Sequence, residues 1–329
     1  MRFMNTRLPI VFIGLIGLIG LAELACAQTG PAAAAPNVTL DVSKLKLASA
    51  NALVIDASAG EPIYAKAADT VTPIASVTKL MTAMVVLDAE QPLDEAISIG
   101  IGDLDVVKAS HSRLPLGSEL ARRDMLQLAL MASENRAAAS LARHYPGGTE
   151  ACVEAMNRKA RSLGMMNTHF SDPTGLSSEN VSTASDLARM VRAAAEYEPI
   201  RAYTTTASHY VQVQPHGKLL GYSNTNSLVR GGQWDITVSK TGFIREAGKC
   251  LVMLANIASR PVVIVLLDSY GRLTRIGDAN RVKHWLETGN TLPAAKASAR
   301  SAQTKQGVSG TLAPASTKPA SRVKPKTTT

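Results

Sequence analysis

The sequence predicts an α+β domain in which one sheet draws strands from both ends of the chain, with a helical lobe inserted between them. Three observations carry this expectation. Strand-like apolar runs stand near the start, at residues 50–56 and 62–65, around the turn residues Ala57-Ser58-Ala59-Gly60. Helical periodicity then fills the chain as far as Glu196. Past Ser208 the texture changes to continuous apolar and β-branched runs, and a single helix closes the domain.

Each element has its own signal. The first helix is expected over residues 76–90, after Pro73, because Val77, Leu80, Met81, Met84, Val85 and Leu87 recur at three- and four-residue steps. Two helices over 124–131 and 135–145 are separated at Ser133-Glu134. Pro146-Gly147-Gly148 ends the second, and Thr149 caps a helix reaching Leu163 before Gly164. Thr183 or Ser185 starts a helix that runs to Glu196. Residues 210–213, 234–239, 250–257 and 262–267 read as strands. The closing helix, 272–288, carries Leu273, Ile276, Val282, Trp285 and Leu286. No internal repeat is visible.

Composition narrows the function. The chain has 329 residues, 46% hydrophobic, with a formal net charge of +9. That apolar content excludes a disordered chain, and three cysteines exclude a disulfide scaffold. The charge is unevenly placed. Residues 293–329 hold seven bases and no acid, and residues 1–27 hold Arg2 and Arg7 against Glu23. The middle is left at +1, so the basicity does not call for nucleic acid as a partner.

The ends differ from the middle. Arg2 and Arg7 precede an apolar run over 8–22, and Ala25-Cys26-Ala27 offers small residues for cleavage. This is the grammar of a secretory signal over residues 1–27, cleaved near Ala27. The apolar run is shorter than the roughly 20 residues of a membrane-spanning helix; an uncleaved anchor is the alternative. Glu23, three places before Cys26, argues against a lipoprotein signal. Residues 28–45 read as a linker, 46–290 as the domain, and 291–329 as a disordered basic tail rich in Ala, Pro, Ser, Thr and Lys. Cys152 and Cys250 are suited to pairing in an oxidising compartment, but their apolar settings favour two separate thiols.

Three short motifs carry the chemistry. Ser76-Val77-Thr78-Lys79 is S-x-x-K, Ser133-Glu134-Asn135 is S-x-N, and Lys240-Thr241-Gly242 is K-T-G. Each alone is weak, since a lone Ser and Lys on a helix is usually a solvated face. Together and in order they make physical sense. Residues three apart share a helix face, which puts the Ser76 hydroxyl beside the Lys79 amine. A lysine acts as a base only when neutral, and burial or a second cation such as Lys240 lowers its pKa. Ser133, at a break between helices, is placed to relay a proton, and Asn135 offers an amide donor and acceptor. Lys240-Thr241-Gly242 is expected to end a strand, with Gly242 permitting close approach of another backbone.

With its flanks, Pro73-Ile-Ala-Ser76-Val-Thr-Lys79, Ser133-Glu-Asn135-Arg-Ala-Ala-Ala-Ser140 and Ser239-Lys240-Thr-Gly242-Phe243, the chain resembles a low-molecular-mass penicillin-binding protein of peptidase family S11. The nearer likeness is to the penicillin-binding protein 7 group of D-alanyl-D-alanine endopeptidases. Supporting runs are His144-Tyr-Pro-Gly-Gly148, Pro173-Thr-Gly-Leu176, Tyr222-Ser-Asn-Thr-Asn226 and Gly248-Lys-Cys-Leu-Val-Met253. The likeness covers roughly residues 48–288.

The resemblance implies a β-lactamase/transpeptidase-like fold, an antiparallel sheet flanked by helices with an all-helical lobe. It implies a periplasmic enzyme without a cofactor, acting on the peptide stems and cross-links of peptidoglycan and acylated by β-lactams. Ser76 would be the nucleophile, Lys79 its base and Ser133 a proton relay. Asn135 would hold the substrate amide, and Lys240, Thr241 and Gly242 would take the terminal carboxylate end. The backbone N–H groups of Ser76 and Phe243 would form the oxyanion hole. Cross-link cleavage is favoured over D-alanyl-D-alanine carboxypeptidase action, then over β-lactamase action, and a non-catalytic wall-binding protein comes last.

One departure matters. A class A β-lactamase places a glutamate some thirty-five residues after S-x-N. Here that region reads Ser171-Asp172-Pro173-Thr174-Gly175, with Asp172 its only acid, so inhibition by penicillin is expected rather than its destruction. The six histidines show no metal-ligand spacing. The basic tail suggests an electrostatic contact with the wall or a membrane surface.

Overall fold

A computed structural model describes residues 40–105, 108 and 110–293. The leader, most of the linker and nearly all of the basic tail lie outside the described residues. A five-stranded antiparallel sheet organises the fold. It is built from β1 (Asn51–Asp56), β2 (Pro62–Lys66) and three strands from the far end of the chain. A two-residue strand, β3 (Thr72–Pro73), leads into helix α1 (Lys79–Asp88).

The inserted lobe comprises short strands β4 (Ala96–Ser98) and β5 (Glu119–Ala121), then α2 (Arg122–Gln127), α3 (Asn135–Arg143) and α4 (Gly148–Ser162). Strand β6 (Val181–Ser182) pairs back onto β3. Helices α5 (Ala184–Ala194) and α6 (Glu198–Thr205) follow, then the hairpin β7 (Ser208–Val213) and β8 (Lys218–Ser223) and the short α7 (Ser227–Gly231). Strands β9 (Asp235–Ile244), β10 (Gly248–Ile257) and β11 (Arg260–Ser269) complete the sheet, and α8 (Thr274–Thr288) closes the domain.

The sheet order is β2-β1-β11-β10-β9, with Asn51 opposite Leu267. The first strand therefore completes a sheet begun some two hundred residues later, as the two blocks of strand signal predicted. Both faces are covered, so β11 is apolar on both. Val263, Val265 and Leu267 face the helices, while Val262, Ile264 and Leu266 join Trp285, Val282 and Ala279 of α8. Full burial of such a side chain stabilises by about 1.5–3 kcal/mol. Leu45, at the end of the stretch read as a linker, is buried in the α8-side core with Leu47. Asp278 of α8 accepts from the Ser49 amide at 2.7 Å and from its hydroxyl at 2.7 Å, tying the domain's entry to its last helix.

Several local expectations change. The first helix opens with a 3-10 turn, Ala75–Thr78. Gly147 rather than Thr149 occupies the N-cap of α4, in a left-handed conformation. Thr183 caps α5, its hydroxyl accepting from the Asp186 amide at 3.0 Å. Helix α6 and strand β8 had no clear apolar period and were not expected. Cys152 and Cys250 are free, buried thiols.

Candidate active site

Ser76 lies in the 3-10 turn just before α1. Its neighbour Ala75 has φ of 51°, a region L residues disfavour. Two glycines hold that backbone. A Cβ on Gly175 would sit 2.1 Å from the Ala75 carbonyl oxygen, and one on Gly242 would sit 2.8 Å from the Ile74 carbonyl oxygen. The 172–177 loop and β9 thus close on the Ser76 segment from two sides, at positions where no side chain fits.

Lys79 is 1% exposed. Its Nζ donates to Ser76 Oγ at 3.0 Å, to Asn135 Oδ1 at 2.7 Å and to the Thr174 carbonyl at 2.5 Å. Those three acceptors match the three N–H bonds of an ammonium. Burial nevertheless lowers the Lys79 pKa to about 8, against the opposing pull of Asp172, Glu134 and Asp105.

Ser133 reaches the site through a break in helix geometry. Helix α2 runs into a π-turn, Leu128–Ala132, and Ser133 then takes φ of 60°. Wide turns of this kind gather at functional sites. Lys240 Nζ donates to Ser133 Oγ at 2.9 Å and to the Thr241 carbonyl at 3.0 Å. Lys240 is also 1% exposed. Burial first, then repulsion from Lys79 and Arg275, push its pKa well below the usual lysine value.

The structure brings the predicted residues of all three motifs to one place and corrects one expectation. Lys240-Thr241-Gly242 does not end a strand, because β9 continues to Ile244 and Gly242 pairs with Cys250. The close approach expected at Gly242 is to the Ile74–Ser76 backbone. Phe243 follows, 55% exposed, with Lys249 Nζ 3.9 Å from its ring centre.

Sequence reasoning missed several partners whose roles exist only in three dimensions. Ser110 Oγ accepts from Asn135 Nδ2 at 2.8 Å. Arg275 donates to the Gly242 carbonyl at 2.7 Å and the Cys250 carbonyl at 3.1 Å. Thr225 Oγ1 accepts from Thr241 Oγ1 at 2.6 Å, while its own amide donates to the Met131 carbonyl at 2.9 Å. Asp172 is committed to its own turn. Its oxygens accept from the Thr174 and Gly175 amides at 2.5 and 2.7 Å, from Thr174 Oγ1 at 2.6 Å and from the Ser177 amide at 2.8 Å. The Asp-Pro-Thr-Gly string was the available signal for that turn. A cavity of about 190 Å³ opens beside Asn135 and Thr174. Among the described residues no group of three or more His, Cys, Asp or Glu side chains is arranged to hold a metal.

Known proteins resemble this chain in sequence and in fold. The peptidase S11 family, D-alanyl-D-alanine carboxypeptidase, matches residues 38–271. A D-alanyl-D-alanine endopeptidase of Pseudomonas aeruginosa is 48% identical over 85% of this chain and 91% of its own length. The crystal structure of the Streptomyces K15 DD-transpeptidase superposes with a TM-score of 0.69 at 28% identity, covering 76% of this chain and 99% of that one. Penicillin-binding protein D2 of Listeria monocytogenes, in an ampicillin-bound form, gives a TM-score of 0.62 at 28% identity, over 74% and 98% of the two chains. With the sheet, the inserted lobe and the three motifs in one cleft, the chain belongs to the S11 family of serine peptidases.

Proposed function

We propose that the protein is a serine DD-peptidase of peptidoglycan that cleaves D-alanyl cross-links through an acyl-enzyme on Ser76. The observation that carries the reading is the 3.0 Å contact between Ser76 Oγ and a buried Lys79 whose pKa is lowered to about 8. Neutral Lys79 takes the Ser76 proton as the oxygen attacks the D-alanyl carbonyl carbon. The backbone N–H groups of Ser76 and Phe243 receive the oxyanion, a contribution of several kcal/mol in such sites. As the C–N bond breaks, the Lys240–Ser133 contact offers the leaving amine a proton. Asn135 steadies the donor amide, and Thr241 and Lys240 take the carboxylate of the leaving residue. That carboxylate favours the ammonium form of Lys240. By repulsion it then favours neutral Lys79, so substrate binding itself readies the base.

Water ends the cycle by hydrolysing the Ser76 ester. Asp172 is saturated by its own turn, which supports slow loss of a penicilloyl group and hence inhibition by penicillins. The leader supports export to the periplasm, and the basic tail an electrostatic contact with the wall or membrane surface. Digestion of purified cross-linked muropeptide dimers, with products read by mass, tests the reading. Monomer release is expected. Loss of one alanine from a pentapeptide, with dimers left intact, would replace it with carboxypeptidase action.

A further inference from the structure

The two ends of the cleft are not alike, and the direction of β9 says which end receives which part of a cross-link. Strand β9 is the last strand of the sheet, and its residues run from Asp235 to Ile244. In the proposed mechanism the scissile carbonyl lies at the Phe243 amide and the leaving residue's carboxylate at Thr241. A peptide laid antiparallel on this edge therefore has its donor part at Phe243 and beyond, and its leaving part toward Lys240 and Ser133. A terminal D-alanine leaves with a methyl side chain. The leaving residue of a cross-link is a diamino acid, and its side chain carries the whole second stem with further carboxylates.

The side chains at that leaving end suit such a stem. Thr225 is exposed, and its hydroxyl sits 2.6 Å from that of Thr241. It is held in place because its amide donates to Met131, two residues before Ser133, and because Asn226 Nδ2 donates to Ser239 Oγ at 2.8 Å. Three residues earlier, Tyr222 is 4% exposed, and its hydroxyl has no hydrogen-bond partner among the described residues. The guanidinium of exposed Arg113 lies 4.0 Å from the centre of its ring. Stacking fixes a flexible cation in one place while leaving its donor edge open to an anion.

We propose that Thr225 and the Arg113–Tyr222 pair form the subsite that receives the acceptor stem of a cross-link, with Thr225 beside the leaving residue's carboxylate and Arg113 on a carboxylate further along the stem. This rests on the endopeptidase reading. Its consequence is selective. Removing Arg113 weakens the handling of a dimer more than that of a pentapeptide whose leaving group is a single D-alanine, while Thr225 serves the carboxylate common to both.

The test uses the mature full-length enzyme with Thr225→Val and Arg113→Ala, each assayed on a purified muropeptide dimer and on a monomeric pentapeptide. The ratio of kcat/KM for dimer to kcat/KM for pentapeptide should fall at least fivefold in Arg113→Ala, whereas Thr225→Val should lower both values together, since both leaving groups carry the carboxylate it meets. For Arg113→Ala the change should lie in KM, with Arg113→Lys restoring part of it. A ratio unchanged in Arg113→Ala, or a Thr225→Val enzyme unimpaired on both substrates, overturns the subsite. Wild-type enzyme that is acylated by penicillin yet leaves dimers intact overturns the endopeptidase reading instead, and the two failures are told apart before any variant is made.

Discussion

The two walls of the cleft place their functional groups by different means. On the sheet side, Lys240, Thr241 and Gly242 lie inside a ten-residue strand whose pairing with β10 is unbroken from Val238 opposite Leu254 to Ile244 opposite Gly248. On the helical side, nearly every functional group follows an irregularity. Ala75 and Ser133 have positive φ, a π-turn precedes Ser133, and Ser76 rides on a 3-10 turn. Regular pairing fixes position through many equivalent hydrogen bonds. An irregular backbone persists only where its surroundings over-determine it, and such strain is of the order of 1–3 kcal/mol per residue. The helical wall therefore depends on a few contacts that have no substitute, above all Gly175 and the three acceptors around Lys79.

The largest test of this contrast is chemical. Ser76→Ala should abolish covalent labelling by a fluorescent penicillin, and Lys79→Ala should lower the acylation rate by roughly 10²–10⁴-fold, the range for loss of a general base. Lys240→Gln should cost less in acylation and more in KM for substrates bearing a carboxylate. Equal effects from the two lysines would erase the distinction between the walls.

A structural test comes next. Gly175→Ala places a Cβ against the Ala75 carbonyl and also demands φ of 79° from an alanine. Thermal unfolding should show a loss of about 1–3 kcal/mol. Penicillin labelling should fall with it, because the displaced backbone carries Ser76. An alanine at exposed Gly231, where a Cβ meets nothing within 4 Å, is the matched control and should leave both unchanged.

Acidity sharpens the comparison further. Acylation should rise with pH as neutral Lys79 accumulates and level off above about 8. Stability carries the same signature. The folded-state value lies below the ordinary 10.5, so between about 8 and 10.5 the unfolded chain binds more protons than the native one. This site's contribution to stability is therefore unfavourable at neutral pH and improves as pH rises through that window. Lys79→Met should flatten that part of the stability–pH curve.

The smallest effect concerns the thiols, one in each region. Cys152 is buried in the lobe and Cys250 in the sheet, and burial raises their pKa values to about 12 and about 11. Adding reductant should leave the melting temperature unchanged, and native protein should resist alkylation at both.

The same division explains what could be read from the sequence. Six of the seven residues of the three motifs, Ser76, Lys79, Ser133, Asn135, Lys240 and Thr241, were legible because their chemistry is written in side chains at fixed spacing. The end strands and α8 were legible because burial on two faces leaves long apolar runs. Thr174 was not, since it reaches Lys79 through a carbonyl that every residue possesses. Thr225 and Arg275 were not, because their partners lie far away in the chain. Gly242 was read as admitting another backbone, which is the nucleophile's, but wrongly as a strand end. Helix α6 escaped notice because its buried side chains, Ile200 and Thr204, are too few to set a period.

The pairing of β1 with β11 bears on how the chain acquires its fold. Asn51 finds its neighbour only at Leu267, and Ser49 meets Asp278 across 229 positions of sequence. Contacts that distant close slowly, because the intervening loop must be ordered before they return any stabilisation. A nascent chain that ends before β11 therefore lacks the central neighbour of its first strand. The earliest strand can pair at once with β2 but gains its other neighbour only near the end, so the cleft comes into being only when the whole domain is available.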